Sequence, residues 1–274
     1  MKINSFLSLL SNRFIKSKNI ENIKKIYSQH FKFDNNIKII QTHKNNVYVV
    51  FFKKQKIYRK FSINKNGFKK IKSDYLGLKW FCKKKKINEK LIIRTMNFKK
   101  NVGFLDTNLI EGKKLKSWVS LKENYSYISK VLNDYIKIFG NKRMNKIHGD
   151  LTLDNIIFFK KKYTIIDWEF FTSKKQVRGY DAMYLLLSCI AIPFIVNNNF
   201  TREDEKLFLK LFKKIDLMNV DQRLLKNPFN FFRNTIRNDK ILNSSLKISK
   251  KKFFPFITPK VFEKNILKLI NKHY

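Results

Sequence analysis

Apolar and polar positions along this chain change their rhythm several times. At the start, Ile3, Phe6, Leu7, Leu10 and Phe14 recur at the spacing of one helical face, which predicts an amphipathic helix over 3–16, and a second helix is expected over 20–30. The rhythm then shortens. IKIIQ (37–41), VYVVFF (47–52) and KIYRKFSI (56–63) read as strands, each closed by Asn- or Lys-rich turns. From 69 to 84 the period lengthens again, with Ile71, Tyr75, Leu78 and Phe81 on one helical face. Strands are expected near 90–95 and 103–110, after which the glycine of EGKKL (111–115) marks a connector. Helices over 121–139, 180–195, 202–216 and 259–272 dominate the remainder, interrupted by a hairpin over 156–167. Thr201 before REDE is placed to cap the third of these helices, with acids in the first turn where the helix dipole favours them.

These elements predict an α+β protein of two lobes, a small antiparallel β-sheet lobe joined by a hinge to a larger, mostly helical lobe. The expected divisions are an N-terminal helical extension over 1–30, the sheet lobe over 31–110 and the helical lobe over 111–274. No internal repeat or low-complexity linker is evident. Runs such as KKKK (83–86) and KKK (250–252) read as solvated surface.

Composition bounds the picture and raises a question. With 274 residues and 43% hydrophobic content the chain can bury sizeable cores, which excludes a disordered basic tail. It carries 60 Lys and Arg against 20 Asp and Glu, a formal charge of +40. One reading is an anionic partner such as nucleic acid or a membrane surface. The other is coding bias, because Lys, Asn, Ile and Phe all have A/T-rich codons and all are abundant. Lysine is scattered over every segment instead of gathered on one face, which favours coding bias.

Cys82 and Cys189 stand far apart in apolar surroundings without CxxC spacing. That argues against a disulfide framework or a zinc site and fits a reducing compartment. AMYLLLSCIAIPFIV (182–196) is short for a bilayer span and contains a proline, so a buried helix is expected. Residues 1–20 lack acidic side chains, as organelle-targeting segments do. FLSLL is nevertheless too short for a secretory apolar region, and lysine outnumbers arginine; a helix docked on the domain is the preferred reading.

Against this background NKIHGDLTLDNIIFFKKKYTIIDWEFF (145–171) differs from its surroundings. A chain poor in acids sets His148, Asp150, Asn155 and Asp167 at the ends of apolar runs. IIFF is a short strand, KKKY turns, and TIID returns, so Asn155 at the start of the ribbon and Asp167 at its finish come to one end. Asp150 sits on the adjoining loop. An amide oxygen and a carboxylate converging there, with a second carboxylate nearby, make a hard-oxygen site suited to Mg²⁺, which keeps waters and adds phosphate oxygens.

HGDLTLDN followed by IIDWE resembles the catalytic and metal-binding segments of the aminoglycoside phosphotransferase and choline kinase group, a branch of the protein-kinase-like fold, with Gly149 where protein kinases usually have arginine. The resemblance implies a protein-kinase-like fold whose sheet lobe covers the nucleotide, with ATP and Mg²⁺ as cofactors. Asp150 would be the base that accepts the proton of the substrate hydroxyl, and Asn155 and Asp167 would hold the Mg²⁺ ions that bridge the phosphates. His148 would support the loop through backbone hydrogen bonds, and Asp181 in GYDAMYL would brace it from the start of the next helix.

In KIYRKFSI a basic residue should meet the α- and β-phosphates. Lys60, which shares a strand face with Tyr58, is preferred, and Arg59 stays open because one sequence does not fix strand register. Its partner would be Asp74 in IKSDYLGLKWF, where the group more often has glutamate. LIEGKKL resembles the hinge whose backbone usually meets adenine, while QTHKNNVYV lacks the glycines of a phosphate loop. The likeness spans about 37–196, is strongest over 148–169, and leaves the last eighty or so residues unmatched. Glu169 is read as a surface residue, and Trp168 and Phe170 as packing residues.

Two classes of function remain. The first is ATP- and Mg²⁺-dependent transfer of the γ-phosphoryl group to a hydroxyl of a small molecule or glycan, in the cytoplasm, with peripheral attachment to the inner face of the membrane left open. The excess of base over acid suits an anionic acceptor better than a polycationic aminoglycoside. The second is a catalytically degenerate kinase-like protein with a basic surface for nucleic acid or anionic membrane. Nucleic acid is the less favoured partner, because base and metal positions are intact and degenerate sites tend to lose them. Oligomeric state is not legible.

Overall fold

The computed structural model describes residues 17–32, 36–41, 47–99, 101–139, 144–160, 162–171, 176–198, 200–217, 220–239, 243 and 254–273. The helix expected over 3–16, the middle of QTHKNNVYV (42–46) and the KKK run at 250–252 lie outside the described residues. The chain divides into two compact units, Met1–Glu111 with Asp167–Glu169, and Gly112–Ile166 with Phe170–Tyr274. The first boundary thus falls inside EGKKL.

In the first unit β1 (Ile37–Gln41), β2 (Tyr48–Phe52), β3 (Ile57–Ser62), β4 (Ile93–Lys99) and β5 (Val102–Asn108) form an antiparallel sheet in the order β1-β2-β3-β5-β4. Alternation along β3 sends neighbouring side chains to opposite faces. Phe61 joins Val50, Val102 and Phe104 on the face covered by α1 (Ser17–Ser28), which contributes Ile23 and Tyr27 to the same core. Arg59 shares this face. Its guanidinium lies over Phe31 at 4.6 Å and Phe104 at 4.4 Å and grips Asp106 through two hydrogen bonds of 2.7 Å.

The opposite face receives α2 (Lys65–Lys85), which buries Ile71, Asp74, Leu78 and Phe81. It begins a turn earlier than its apolar period, because the Asn64 side chain accepts the Gly67 N–H and caps it. Lysines at 83, 84 and 85 occupy its last turn, where cations suit the dipole. Gly77 within α2 answers a need for space: a Cβ there would come 2.4 Å from the Cβ of Trp168.

The second unit is mostly helical. It comprises α3 (Leu121–Phe139), α4 (Tyr180–Asn197), α5 (Arg202–Asp216), α6 (Gln222–Lys226), α7 (Pro228–Asn238) and α8 (Lys260–Asn271). A small sheet joins β6 (Lys113–Lys114), β8 (Ile156–Phe159) and β9 (Lys162–Ile165), and β7 (Met144–Asn145) pairs with β10 (Gln176–Val177). α4 is the apolar run of the sequence. By length and composition it could cross a membrane, yet 72% of it is buried inside the protein, without a break from Tyr180 to Ala191.

α5 opens with a full capping box, Thr201 accepting the Asp204 N–H and Asp204 accepting the Thr201 N–H. The apolar periodicity had not singled out α6 and α7. The signal for α7 was there all the same: Asn227 caps it, Pro228 takes its first position, and Phe229, Phe232 and Ile236 form the buried face.

Candidate active site

Within the first unit, Lys60 sits on the middle strand of the sheet, opposite Val49 on β2 and Leu105 on β5. Its ammonium lies 2.7 Å from Asp74, 2.6 Å from Asp167 and 3.6 Å from Glu169. Burial works to lower the Lys60 pKa, but the fields of Asp167, Asp74 and Glu169 outweigh it and hold the ammonium well above its ordinary value. Asp74, short as it is, reaches both partners: one oxygen meets Lys60 and the other accepts the Trp168 N–H at 2.7 Å. The Trp168 ring, fully buried, packs in the recess that Gly77 leaves, with Trp80 at 5.8 Å and Phe81 at 5.7 Å. Arg59, the other basic residue considered, faces away from this cluster and is engaged with Asp106.

Glu169 corrects its sequence reading. It is not a surface residue: only 7% of it is exposed, and it lies between Lys60 and Lys70, the latter at 3.8 Å. Burial and then the charge of Asp167 push its carboxyl up to about 7, with the two lysines acting the other way. Its signal in the sequence was the alternation acid, tryptophan, acid. A buried Trp168 turns its two neighbours away from itself, and in this chain both meet the lysine. Asp167 takes a left-handed conformation, φ 64°, which short polar side chains tolerate, and its carboxylate is 46% exposed.

Within the second unit, the loop before β8 carries His148, Asp150 and Asn155. Asp181 at the start of α4 accepts the His148 N–H at 2.7 Å and the Gly149 N–H at 3.0 Å, and Tyr135 donates its hydroxyl to the same carboxylate. Burial raises the Asp181 carboxyl above its ordinary value, and these donors restrain the rise. His148 Nε2 is 2.9 Å from the Ile166 carbonyl, while its Nδ1 accepts the Asp150 N–H at 3.3 Å. A neutral imidazole with its proton on Nε2 satisfies both contacts.

Asn155 donates its amide to the Asp150 carbonyl at 2.8 Å, and its Oδ1 makes no hydrogen bond among the described residues. Beyond the β8–β9 pairs, the Ile166 N–H still reaches the Asn155 carbonyl at 2.9 Å, and Asp167 follows Ile166 directly in the chain. Tyr184, which the sequence had not singled out, places its hydroxyl 3.1 Å from Asp150 Oδ1 and 2.8 Å from the Phe254 carbonyl.

No protein-family profile matches the sequence, and no curated protein sequence does either. Solved structures similar to the chain include an amicoumacin kinase in complex with AMP-PNP and Ca²⁺, 10% identical over 97% of this chain and 95% of that one, with a TM-score of 0.49. An ethanolamine kinase of Plasmodium vivax is 12% identical, covering 98% of this chain and 94% of that one, with a TM-score of 0.44. The choline kinase LicA of Streptococcus pneumoniae is 14% identical, covering 93% and 99%, with a TM-score of 0.41.

Proposed function

We propose that this protein is an ATP- and Mg²⁺-dependent phosphotransferase that moves the γ-phosphoryl group to a hydroxyl of a small molecule or glycan. The observation that carries the reading is the Lys60 ammonium held at 2.7 Å by a helix acid, Asp74, and at 2.6 Å by Asp167. A cation fixed on a strand by carboxylates is oriented to meet phosphate oxygens and cannot swing away. The donor chemistry also fits Mg²⁺. Asp167 offers a half-exposed carboxylate and Asn155 a hard amide oxygen. Among the described residues no cluster of three or more His, Cys, Asp or Glu could hold a metal by itself, so the ion would depend on phosphate oxygens as well. Asn155 and Asp167 are the residues that would hold Mg²⁺, which would supply charge neutralisation at the phosphates.

The protein's own residues account for the rest. Lys60 binds the phosphates. Asp150 orients the acceptor hydroxyl and takes its proton as the new P–O bond forms and the bond to the departing ADP breaks. Asp181, His148 and Tyr184 keep the Asp150 loop in place through the hydrogen bonds described. Calorimetric titration with Mg²⁺-ATP tests this directly. Wild type and Asp150→Ala should bind alike, and Lys60→Ala and Asp167→Asn should each lose about tenfold or more. Absence of Mg²⁺-ATP binding by the wild-type protein would sink the reading.

A further inference from the structure

We propose that Ser117 and Asp154 are positioning residues of the metal site: their hydrogen bond fixes the turn that carries Asn155, and with it the amide oxygen offered to Mg²⁺. The inference rests on the transferase reading and deepens one corner of it.

Asn155 ends a single turn of 3₁₀ helix, Leu153–Asn155. Such a turn holds itself weakly, because its hydrogen bonds are poorly aligned. The Asn155 N–H reaches the Thr152 carbonyl at 3.1 Å and the Ile156 N–H reaches the Leu153 carbonyl, while Thr152, at the N-cap position, provides no side-chain cap. The orientation of the turn must therefore come from groups outside it. Leu153 anchors one side in the core, and the Asn155 amide hydrogens tie the other to the Asp150 carbonyl at 2.8 Å. Between them, Asp154 Oδ2 accepts the Ser117 hydroxyl at 2.8 Å. A hydroxyl bonded to a carboxylate holds more firmly than one bonded to a neutral acceptor. Ser117 is only 3% exposed, so water competes little for it.

Ser117 is itself well placed to act as an anchor. It ends a connector that starts at Gly112, whose φ of 146° and lack of a side chain let the backbone pass the Phe158 carbonyl; a Cβ there would come 2.5 Å from that oxygen. β6 then pairs with β8 through Lys113 and Phe158 and through Lys114 and Ile157, and Leu115 is buried. β8 starts at Ile156, the residue after Asn155. The connector thus grips the turn twice, beyond its last residue through the strand pair and at its middle through Asp154. Mg²⁺ demands near-ideal octahedral geometry, whereas Ca²⁺ accepts an irregular set of oxygens at longer distances. A misplaced amide oxygen therefore costs Mg²⁺ more than Ca²⁺, while a general loosening of the fold costs both alike.

Calorimetry of the full chain with ATP, in Mg²⁺ and in Ca²⁺, tests this. Ser117→Ala and Asp154→Ala should each weaken Mg²⁺-ATP binding about tenfold and Ca²⁺-ATP binding by about threefold or less. Asp154→Asn keeps an oxygen for the Ser117 hydroxyl without the charge, and should stay within about threefold of wild type with both metals. Should Asp154→Ala fail to fold, Ser117→Ala, which removes a single oxygen atom, decides. Equal losses with the two metals would reduce the pair to an ordinary structural contact. A loss in Asp154→Asn as large as in Asp154→Ala would make the charge, not the hydrogen bond, the operative feature, and would also overturn the proposal. Mg²⁺-ATP binding by wild type with full affinity in Ser117→Ala removes this inference alone. Binding of ATP by wild type with neither metal removes the transferase reading and this inference with it.

Discussion

At Asp150 the carboxylate and the backbone carbonyl are held by different partners, Tyr184 and Asn155. Asp150→Ala is expected to lower kcat by about 10²–10⁴-fold with nucleotide affinity intact, checked by steady-state ADP release alongside calorimetry. Tyr184→Phe removes a buried donor shared by Asp150 and the Phe254 carbonyl, and should cost about 1–3 kcal/mol in urea denaturation. Lys60→Met leaves Asp74, Asp167 and Glu169 around an apolar chain. A loss on the order of 2–3 kcal/mol is expected, less than for a fully buried pair, and adding Glu169→Gln should recover part of it. The loop residues were legible because polar identities at fixed spacing are uncommon in an apolar run. Glu169 was not, because the lysines that bury it come from β3 and α2, about a hundred residues earlier in the chain.

Among the elements, α2 does two jobs, presenting Asp74 to Lys60 and yielding space at Gly77 to Trp168. Gly77→Ala would gain helix propensity but drive a methyl into the indole. The clash should dominate, lowering stability by about 1–3 kcal/mol and weakening Mg²⁺-ATP binding through displacement of Asp167; thermal melts and titration read the two effects. Strands β1 to β3 followed from short apolar runs closed by turn residues, and helices α3 and α5 from a helical period with one-sided burial and, for α5, from its cap. The start of α2 did not, because Lys65, Asn66 and Gly67 carry no apolar period and only the Asn64 cap marks it. α7 escaped because Asn–Pro reads equally as a turn and as a helix start, and only its packing against Tyr180 and Tyr184 decides between them.

For the whole molecule, the +40 charge needs no dedicated partner to have consequences. Duplex DNA should be bound at low salt and released steeply between about 50 and 200 mM, whereas Mg²⁺-ATP affinity should change far less; filter binding across a salt series checks this. A complex surviving about 0.5 M salt would speak for a true nucleic-acid site. One feature of the covalent chain also governs how the gene can be cut. Asp167–Glu169 belong to the unit that otherwise finishes at Glu111, so the sheet-bearing unit is encoded in two pieces. A fragment stopping at Glu111 would keep every strand of its sheet and lose the indole that fills the Gly77 recess and two of the carboxylates around Lys60. Dissection into separately expressed halves should therefore fail for the first piece unless those three residues are grafted back, and recombination with a relative would have to exchange both pieces together.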